Sequence, residues 1–135
     1  MVELKHQDIT ESVIGAAYRV HNTMGSGFLE KVYKNSLGVE LRSLGIAFEM
    51  EKPIKVYYKG ELVGNYIADI VVEDKVVLEI KAIKELSDIH EVQLVNYLKA
   101  TGIEVGLLVN FGTSVQVTRR VKDKEVVRSV AIGSR

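Results

Sequence analysis

Two carboxylates and one ammonium group lie on neighbouring segments of this chain, at Asp69 and within Glu79-Ile80-Lys81. Carboxylate oxygens are hard ligands, and without histidine or cysteine beside them they favour Mg²⁺ or Mn²⁺ over zinc. A cation held there would acidify a bound water, and the adjacent lysine could orient that water. Residues of these types in this order are typical of metal-dependent phosphodiester cleavage. The alternative interpretation is an ordinary strand surface that carries an Asp, a Glu and a Lys.

The segments that carry these residues are predicted to form a β-hairpin. Ile67 to Val72 and Val76 to Lys81 are rich in β-branched residues, and the polar Glu73-Asp74-Lys75 between them indicates a tight connection. With a loop of those three residues, Asp69 lies opposite Glu79, and strand alternation puts the lysine on the same face. Two facing carboxylates repel each other unless a cation lies between them. The other face is predicted to be apolar core and carries Ile70, Val72, Leu78 and Ile80.

Length and composition predict one globular domain that spans residues 1–135. The chain is 47% hydrophobic with a single proline, and a single core typically serves about 100 to 200 residues. It contains no cysteine, which excludes disulfides and thiol chemistry. Its first residues are too polar for a signal peptide, and no segment approaches the roughly 20 apolar residues of a membrane span. We therefore expect a cytoplasmic protein without membrane contact.

Charge gives no overall attraction for a polyanion, because 18 basic residues balance 18 acidic ones. Any contact with nucleic acid must then be local. The candidate basic positions are Lys52, Lys55, Lys59, Arg119, Arg120, Lys122, Lys124 and Arg128. The alternative for each is a solvated residue at a strand edge, where Lys and Arg discourage aggregation.

Hydrophobic periodicity predicts the order α, α, β, β, β, α, β, β, β without an internal repeat. Asp8 is expected to cap the first helix, with Glu11 completing a capping box. The fourth strand is an apolar run after a helix, which predicts a crossover to a parallel strand buried on both faces. The predicted elements are helices at Ile9–Thr23, Phe28–Leu44 and Asp88–Ala100, and strands at Ile54–Tyr58, Ile67–Val72, Val76–Lys81, Ile103–Val109, Val115–Val121 and Glu125–Val130.

Several short motifs accompany the acidic strands. They are Gly27-Phe28-Leu29-Glu30-Lys31-Val32-Tyr33, Asp69, Glu79-Ile80-Lys81, Gln93-Leu94-Val95-Asn96-Tyr97 and Asn110-Phe111-Gly112. In this order they resemble the GxxExxY protein family of the PD-(D/E)XK nuclease superfamily, and the Gln-x-x-x-Tyr helix resembles its RecB-like branch. The resemblance runs from about Ile9 to Val121, although Ala68 stands where the superfamily motif has proline. It implies an α/β fold: a restriction-endonuclease-like αβββαβ core with a mixed central sheet, an extra N-terminal helix and a C-terminal hairpin.

The resemblance also implies roles for individual residues. Asp69, Glu79 and the helical Glu30 would bind Mg²⁺ or Mn²⁺, with the Ile80 backbone carbonyl as a further ligand. Lys81 would assist the attacking water. The residues implied in catalysis are Lys81, Glu79, Asp69, Glu30, Gln93 and Tyr97, the last two lining the site near the phosphate. The three histidines, His6, His21 and His90, are scattered and are expected to be structural or solvated.

These expectations leave more than one function open. The leading hypothesis is a nuclease whose partner is nucleic acid, with DNA favoured. A second is a non-catalytic binding or regulatory module on the same fold, which the neutral charge favours and the intact acidic pair opposes. A third is a subunit of a larger complex or a homodimer, because the strands after Val115 could pair with another chain.

Overall fold

The computed structural model describes residues 4–122, which form three helices and five strands. The element order of this part of the chain matches the sequence prediction. The elements are α1 (Gln7–Met24), α2 (Glu30–Ser43), β1 (Phe48–Tyr58), β2 (Glu61–Val72), β3 (Val76–Lys81), α3 (Asp88–Thr101), β4 (Val105–Phe111) and β5 (Val115–Val121).

The five strands make one mixed sheet in the order β1-β2-β3-β4-β5. β1, β2 and β3 pair antiparallel, and β4 pairs parallel to β3 after the crossover through α3. β5 returns antiparallel to β4. Every residue of β4 is buried, which confirms a parallel strand covered on both faces.

Helices cover both faces of the sheet and divide the core in two. The larger cluster joins α1 and α2 to residues such as Ile70, Val72 and Leu78. The smaller cluster joins α3 to the opposite face, where Val71 and Val77 lie. The Asp69 and Glu79 face of the hairpin is therefore an interior face beneath α3 for much of its length.

Close packing of α3 depends on a glycine in β4. A Cβ atom at Gly106 would lie 2.7 Å from Cδ1 of Leu94, a fully buried α3 residue. Real Cβ atoms do not approach other heavy atoms that closely, so any larger residue would push α3 away from the sheet. α3 itself begins with a capping box between Ser87 and His90 and ends at Gly102, whose φ is 77°.

The register of β2 and β3 is the one that the sequence predicts. Ile70 pairs with Leu78 and Val72 with Val76, so that residues 73–75 form the loop. The first two loop residues have φ of 52° and 56°, the left-handed region that tight hairpins use. The apolar face predicted from this register lies in the larger core cluster.

Some predicted boundaries are wrong. Asp8 does not cap α1: the helix begins at Gln7, and no side chain caps its amino end, so the predicted capping box with Glu11 is absent. β1 begins at Phe48 rather than Ile54, because Pro53 is tolerated in an edge strand. Smaller differences are the start of α2 at Glu30 rather than Phe28 and of β4 at Val105 rather than Ile103. The predicted strand Glu125–Val130 lies outside the described residues.

None of the three helices within residues 4–122 is both long enough and apolar enough to cross a lipid bilayer.

Candidate active site

The two predicted carboxylates meet where the β2 and β3 ladder stops. Backbone pairing ends at Ile70 and Leu78, and side chains take over beyond it. Oδ2 of Asp69 accepts the Ile80 N–H at 2.7 Å, and the Asp69 N–H donates to Oε2 of Glu79 at 3.3 Å. The two carboxylates thus cross between the strands, which are held together there by side-chain oxygens instead of carbonyls.

The β1 and β2 hairpin changes face at this point. On β1, Met50 packs on the α1 and α2 side, whereas Ile54, four residues later, packs on the α3 side. On β2, Ile70 packs on the α1 and α2 side, whereas Ala68, two residues earlier, packs on the α3 side. Strict alternation would keep them on one face. The reversal coincides with Glu51, which has φ of 53° and, like Asp69 opposite it, is left out of the backbone pairing. The site therefore lies where the strands twist from one helical layer to the other.

Glu79 is the most perturbed carboxyl group of the site. It is only 8% exposed, and burial, followed by the negative charge of Asp69, raises its pKa to about 8. The Asp69 N–H and the Lys81 charge act in the opposite direction, and the Glu30 charge adds to the rise. Without a cation, the folded protein therefore holds a proton on Glu79 that an exposed glutamate would release.

Lys34 on α2 is a site residue that the sequence reasoning missed. Its Nζ lies 3.0 Å from Oε2 of Glu51 and 3.6 Å from Oδ1 of Asp69. Burial lowers the pKa of Lys34, but the hydrogen bond to Glu51 and the charge of Asp69 outweigh burial and raise it. Lys34 therefore neutralises Asp69 from the α2 side. Lys34 lies one helical turn after Glu30, and this spacing is the feature of the sequence that could have predicted it as a site residue.

Glu30 is exposed at the first residue of α2, and Tyr33 fixes the segment before it. The Tyr33 hydroxyl donates to the Gly25 carbonyl at 2.5 Å and accepts the Phe28 N–H at 3.2 Å. The ring is fully buried and stacks on Phe111, with centroids 4.6 Å apart. Tyr33 is thus a positioning residue for the entry to α2, and Glu30 acts on Glu79 through its charge.

The Asn110-Phe111-Gly112 motif ties three elements to β4. The Asn110 amide donates to the Ile83 carbonyl and accepts the Ile83 N–H, both at 2.9 Å. Phe111 stacks on Tyr33 of α2, and the Gly112 carbonyl lies 2.9 Å from Nε2 of His21 on α1. Asn110 thereby holds the segment that follows Lys81.

Tyr97 on α3 lies within electrostatic range of the carboxylates, and Gln93 is its neighbour on the helix. Burial raises the pKa of Tyr97, and the charges of Glu79 and Asp69 raise it further. Gln93, one turn earlier, lines a pocket with Tyr97. Asp69, Glu79, Lys81 and Tyr97 therefore form one group, with Gln93 at its edge.

The donor atoms suit a hard divalent cation. Oxygen ligands alone, two of them mutually repelling carboxylates, are the set that Mg²⁺ and Mn²⁺ prefer. Within residues 4–122, no three histidine, cysteine or acidic side chains are already drawn into a metal-binding group. Protein oxygens at this site would therefore share a cation with water or phosphate, as is usual for Mg²⁺.

Four of the six candidate basic residues that lie within residues 4–122 are engaged within the molecule. Lys52 pairs with Glu49 and Asp74, Arg120 pairs with Glu91, and Lys122 donates to the Gly102 carbonyl. Arg119 donates to the Lys5 carbonyl. Lys55 and Lys59 stay exposed on the β1 and β2 hairpin. Lys124 and Arg128 lie outside the described residues.

Two of the three histidines, His21 and His90, make structural side-chain contacts, in agreement with the expectation. His90 completes the α3 capping box, and His21 contacts the Gly112 carbonyl and stacks on Phe111. His6 precedes α1 with φ of 54°.

Comparisons with known proteins agree with this arrangement. A profile of the PD-(D/E)XK nuclease superfamily matches residues 7–122. No curated protein matches the chain. The crystal structure of SSO0001 superposes with a TM-score of 0.52 and 21% identity over 76% of this chain, which spans 55% of that protein. An alkaline exonuclease (LHK-Exo) from Laribacter hongkongensis gives a TM-score of 0.55 and 12% identity over 94% of this chain and 76% of the exonuclease. The α/β fold with a mixed five-stranded sheet and three helices is thus confirmed as similar to structures of this superfamily.

Proposed function

Because this chain belongs to the PD-(D/E)XK nuclease superfamily, we propose that it hydrolyses phosphodiester bonds of nucleic acid at Asp69, Glu79 and Lys81. The observation that carries the proposal is the meeting of the Asp69 and Glu79 carboxylates where the β2 and β3 ladder ends. The pKa of Glu79, raised to about 8 by burial and by the charge of Asp69, supports the proposal, because strongly perturbed carboxyl groups cluster at functional sites.

Nucleases of this superfamily generally use divalent metals, and the residues of this site fit Mg²⁺ or Mn²⁺. Asp69 and Glu79 would hold the cation, with Glu30 as a third carboxylate from α2. The Ile80 carbonyl is a further candidate, because its N–H already points into the gap occupied by Asp69. When bound, such a cation polarises the phosphate and acidifies water.

The remaining site residues would supply charge and position. Lys81 shares the Glu79 face and would orient the attacking water or neutralise charge that develops on the phosphate. Tyr97, which lies within electrostatic range of the acidic pair, would line the site near the phosphate. Lys34 would offset part of the negative charge of Asp69 through their ion pair.

The finer assignments rest on the motifs of the chain. We place it in the GxxExxY family and the RecB-like branch, with DNA as the favoured substrate and a cytoplasmic location. The non-catalytic module and the complex subunit remain the competing proposals, and the homodimer can be tested by gel filtration, where a single monomer peak would contradict it.

Calorimetric titration of Mn²⁺ into the metal-free protein tests the site without a choice of substrate. We expect binding by the wild type and its loss in Asp69→Asn. Asp74→Asn is the matched control, because Asp74 is an exposed carboxylate in the loop of the same hairpin. Equal binding by all three proteins would contradict the assignment of Asp69.

Cleavage is tested with end-labelled single and double strands of DNA and RNA, each with Mg²⁺ or Mn²⁺. Products that form with the wild type and Asp74→Asn, but not with Asp69→Asn, would support hydrolysis at this site. Metal binding without any cleavage would favour the non-catalytic module instead.

A further inference from the structure

A pocket opens between the outer half of the β1 and β2 hairpin and α3, and we call it the tyrosine pocket. It is lined by Val56, Tyr66, Gln93, Asn96 and Tyr97 and has a volume of about 220 Å³. The rings of Tyr66 and Tyr97 lie 5.6 Å apart between centroids and are tilted by 59°. Tyr66 remains 49% exposed, so its ring presents surface to a ligand as well as to Tyr97.

The tyrosine pocket adjoins the candidate active site, because Tyr97 belongs to both. Burial and the charges of Glu79 and Asp69 raise the pKa of the Tyr97 hydroxyl, and Tyr66 raises it as well. Tyr66 also precedes Asp69 by only three residues on β2. A nucleotide chain with a phosphate at the carboxylates can therefore reach the pocket with a neighbouring base.

The chemistry of the lining suits a nucleobase better than a phosphate. No lining side chain carries a full charge at neutral pH, so a phosphate would have no cationic partner in the pocket. Aromatic faces stack on bases irrespective of sequence, and the Gln93 and Asn96 amides can both donate to and accept from a base edge. Lys55 and Lys59 are exposed on the same hairpin and give it positive charge for the backbone of a bound strand.

We propose that the tyrosine pocket binds one unpaired nucleobase next to the scissile phosphate, so that the substrate is single-stranded nucleic acid. A base within a duplex is stacked and paired, and its faces and pairing edge are not available to the two tyrosines and two amides. The inference rests on the proposed function for the position of the phosphate, but base binding itself needs no hydrolysis.

Binding is measured in EDTA, so that the result does not depend on metal or cleavage. The anisotropy of a fluorescein-labelled short single strand is compared with that of a hairpin duplex of equal length. We expect the wild type to prefer the single strand and Tyr66→Leu to lose roughly 5- to 150-fold of that affinity, the range of one stacked base. Tyr66→Phe should keep it, because the ring is retained.

The matched control is Tyr58→Leu, which removes an exposed tyrosine from the same hairpin outside the pocket. Thermal melting of each variant checks folding, and a half-exposed ring should be dispensable for it. An abasic nucleotide moved along the strand supplies a second test. One abasic position should weaken binding to the wild type more than binding to Tyr66→Leu, because that variant has already lost the Tyr66 contact with the same base.

Equal affinity for strand and duplex, no measurable binding of either, or equal losses in Tyr66→Leu and Tyr58→Leu would each overturn the inference. Failure of the proposed function gives a different result. In that case the single strand would still bind through Tyr66, but no product would form when Mg²⁺ or Mn²⁺ is added.

Discussion

The two ends of the β2 and β3 pair are built from the same two strands and serve opposite purposes. Near the loop, Val72 and Val76 pair through the backbone and are fully buried among apolar side chains. At the other end, Asp69 and Glu79 interrupt the ladder and bury charge. The loop end stabilises the hairpin, whereas the acidic end stores unfavourable electrostatic energy that a cation would release.

The contrast shows how a small domain can tolerate an unstable site. The register of the acidic end is set by the apolar end, where the three-residue loop and three backbone pairs fix how the strands align. Stability and function are therefore separated along one hairpin by a few residues. Mutations at the two ends should change different measured quantities.

The largest expected effect is on catalysis at the acidic end. Lys81→Met should lower the rate of cleavage by roughly 10²- to 10³-fold, because it removes a group that stabilises developing charge. Mn²⁺ affinity in calorimetry should change little, since the lysine is not a ligand. Lys75→Met, an exposed lysine in the loop of the same hairpin, is the control. Cleavage retained by Lys81→Met would remove Lys81 from the mechanism.

The next effect is on the pH dependence of stability. In the folded protein Glu79 holds its proton up to about pH 8, whereas in the unfolded chain it releases it near its ordinary pKa of 4.5. The free energy of unfolding should therefore fall as pH rises through that window, by on the order of 4 kcal/mol from this group. Glu79→Gln should lose this slope and be the more stable protein at pH 8 and above.

Urea unfolding of the metal-free proteins at several pH values measures that difference. Parallel curves for the wild type and Glu79→Gln would mean that Glu79 is ionised in the folded protein. Adding Mn²⁺ should stabilise the wild type at pH 8 and leave the stability of Glu79→Gln unchanged. That result would link the stability of the acidic end to metal binding.

A smaller effect is expected at the apolar end. Val76→Ala removes two buried methyl groups from the larger core cluster and should cost about 2 kcal/mol of unfolding free energy at every pH. Its Mn²⁺ affinity should stay within about twofold of the wild type if the two ends are independent. A larger loss of affinity in calorimetry would show that the loop end also shapes the metal site.

The smallest expected effect is on Mn²⁺ affinity and concerns Lys34, whose ammonium group is a positive charge beside Asp69. Lys34→Met removes the ammonium beside Asp69 and should strengthen Mn²⁺ binding by about tenfold, or about 1.4 kcal/mol, because a positive charge no longer opposes the metal. Lys31→Met, an exposed lysine on α2, should change the affinity less. Weaker metal binding in Lys34→Met would instead assign Lys34 to organising the carboxylates.

The sequence predicted those parts of the molecule that depend on local pattern. The order of elements, the β2 and β3 register and the meeting of Asp69 with Glu79 follow from strand alternation and a three-residue loop. The capping box at Asp8 was wrong because α1 starts at Gln7, two residues earlier than that pattern requires. End positions of elements are set by tertiary packing as much as by local signals.

Long-range features could not be predicted in this way. The salt bridges of Lys34 join α2 to β1 and β2, and no periodicity contains that information. The tyrosine pocket depends on the reversal of face near Glu51, since strict alternation from Ile70 would put Tyr66 on the α1 and α2 side. A single irregular residue cannot be predicted from strand alternation. It changes the face of the sheet on which every side chain beyond it lies.

The tie between Asn110 and Ile83 has a consequence for how the site comes into being. The two residues are 27 positions apart, and the segment that follows Lys81 is held only after β4 has entered the sheet beside β3. During synthesis, a chain that has produced the acidic pair but not yet β4 carries the reactive groups without their arrangement. The arrangement of the candidate site should thus be completed late, when β4 docks parallel to β3, and a chain that ends before β4 would carry Asp69 and Glu79 without a fixed segment after Lys81.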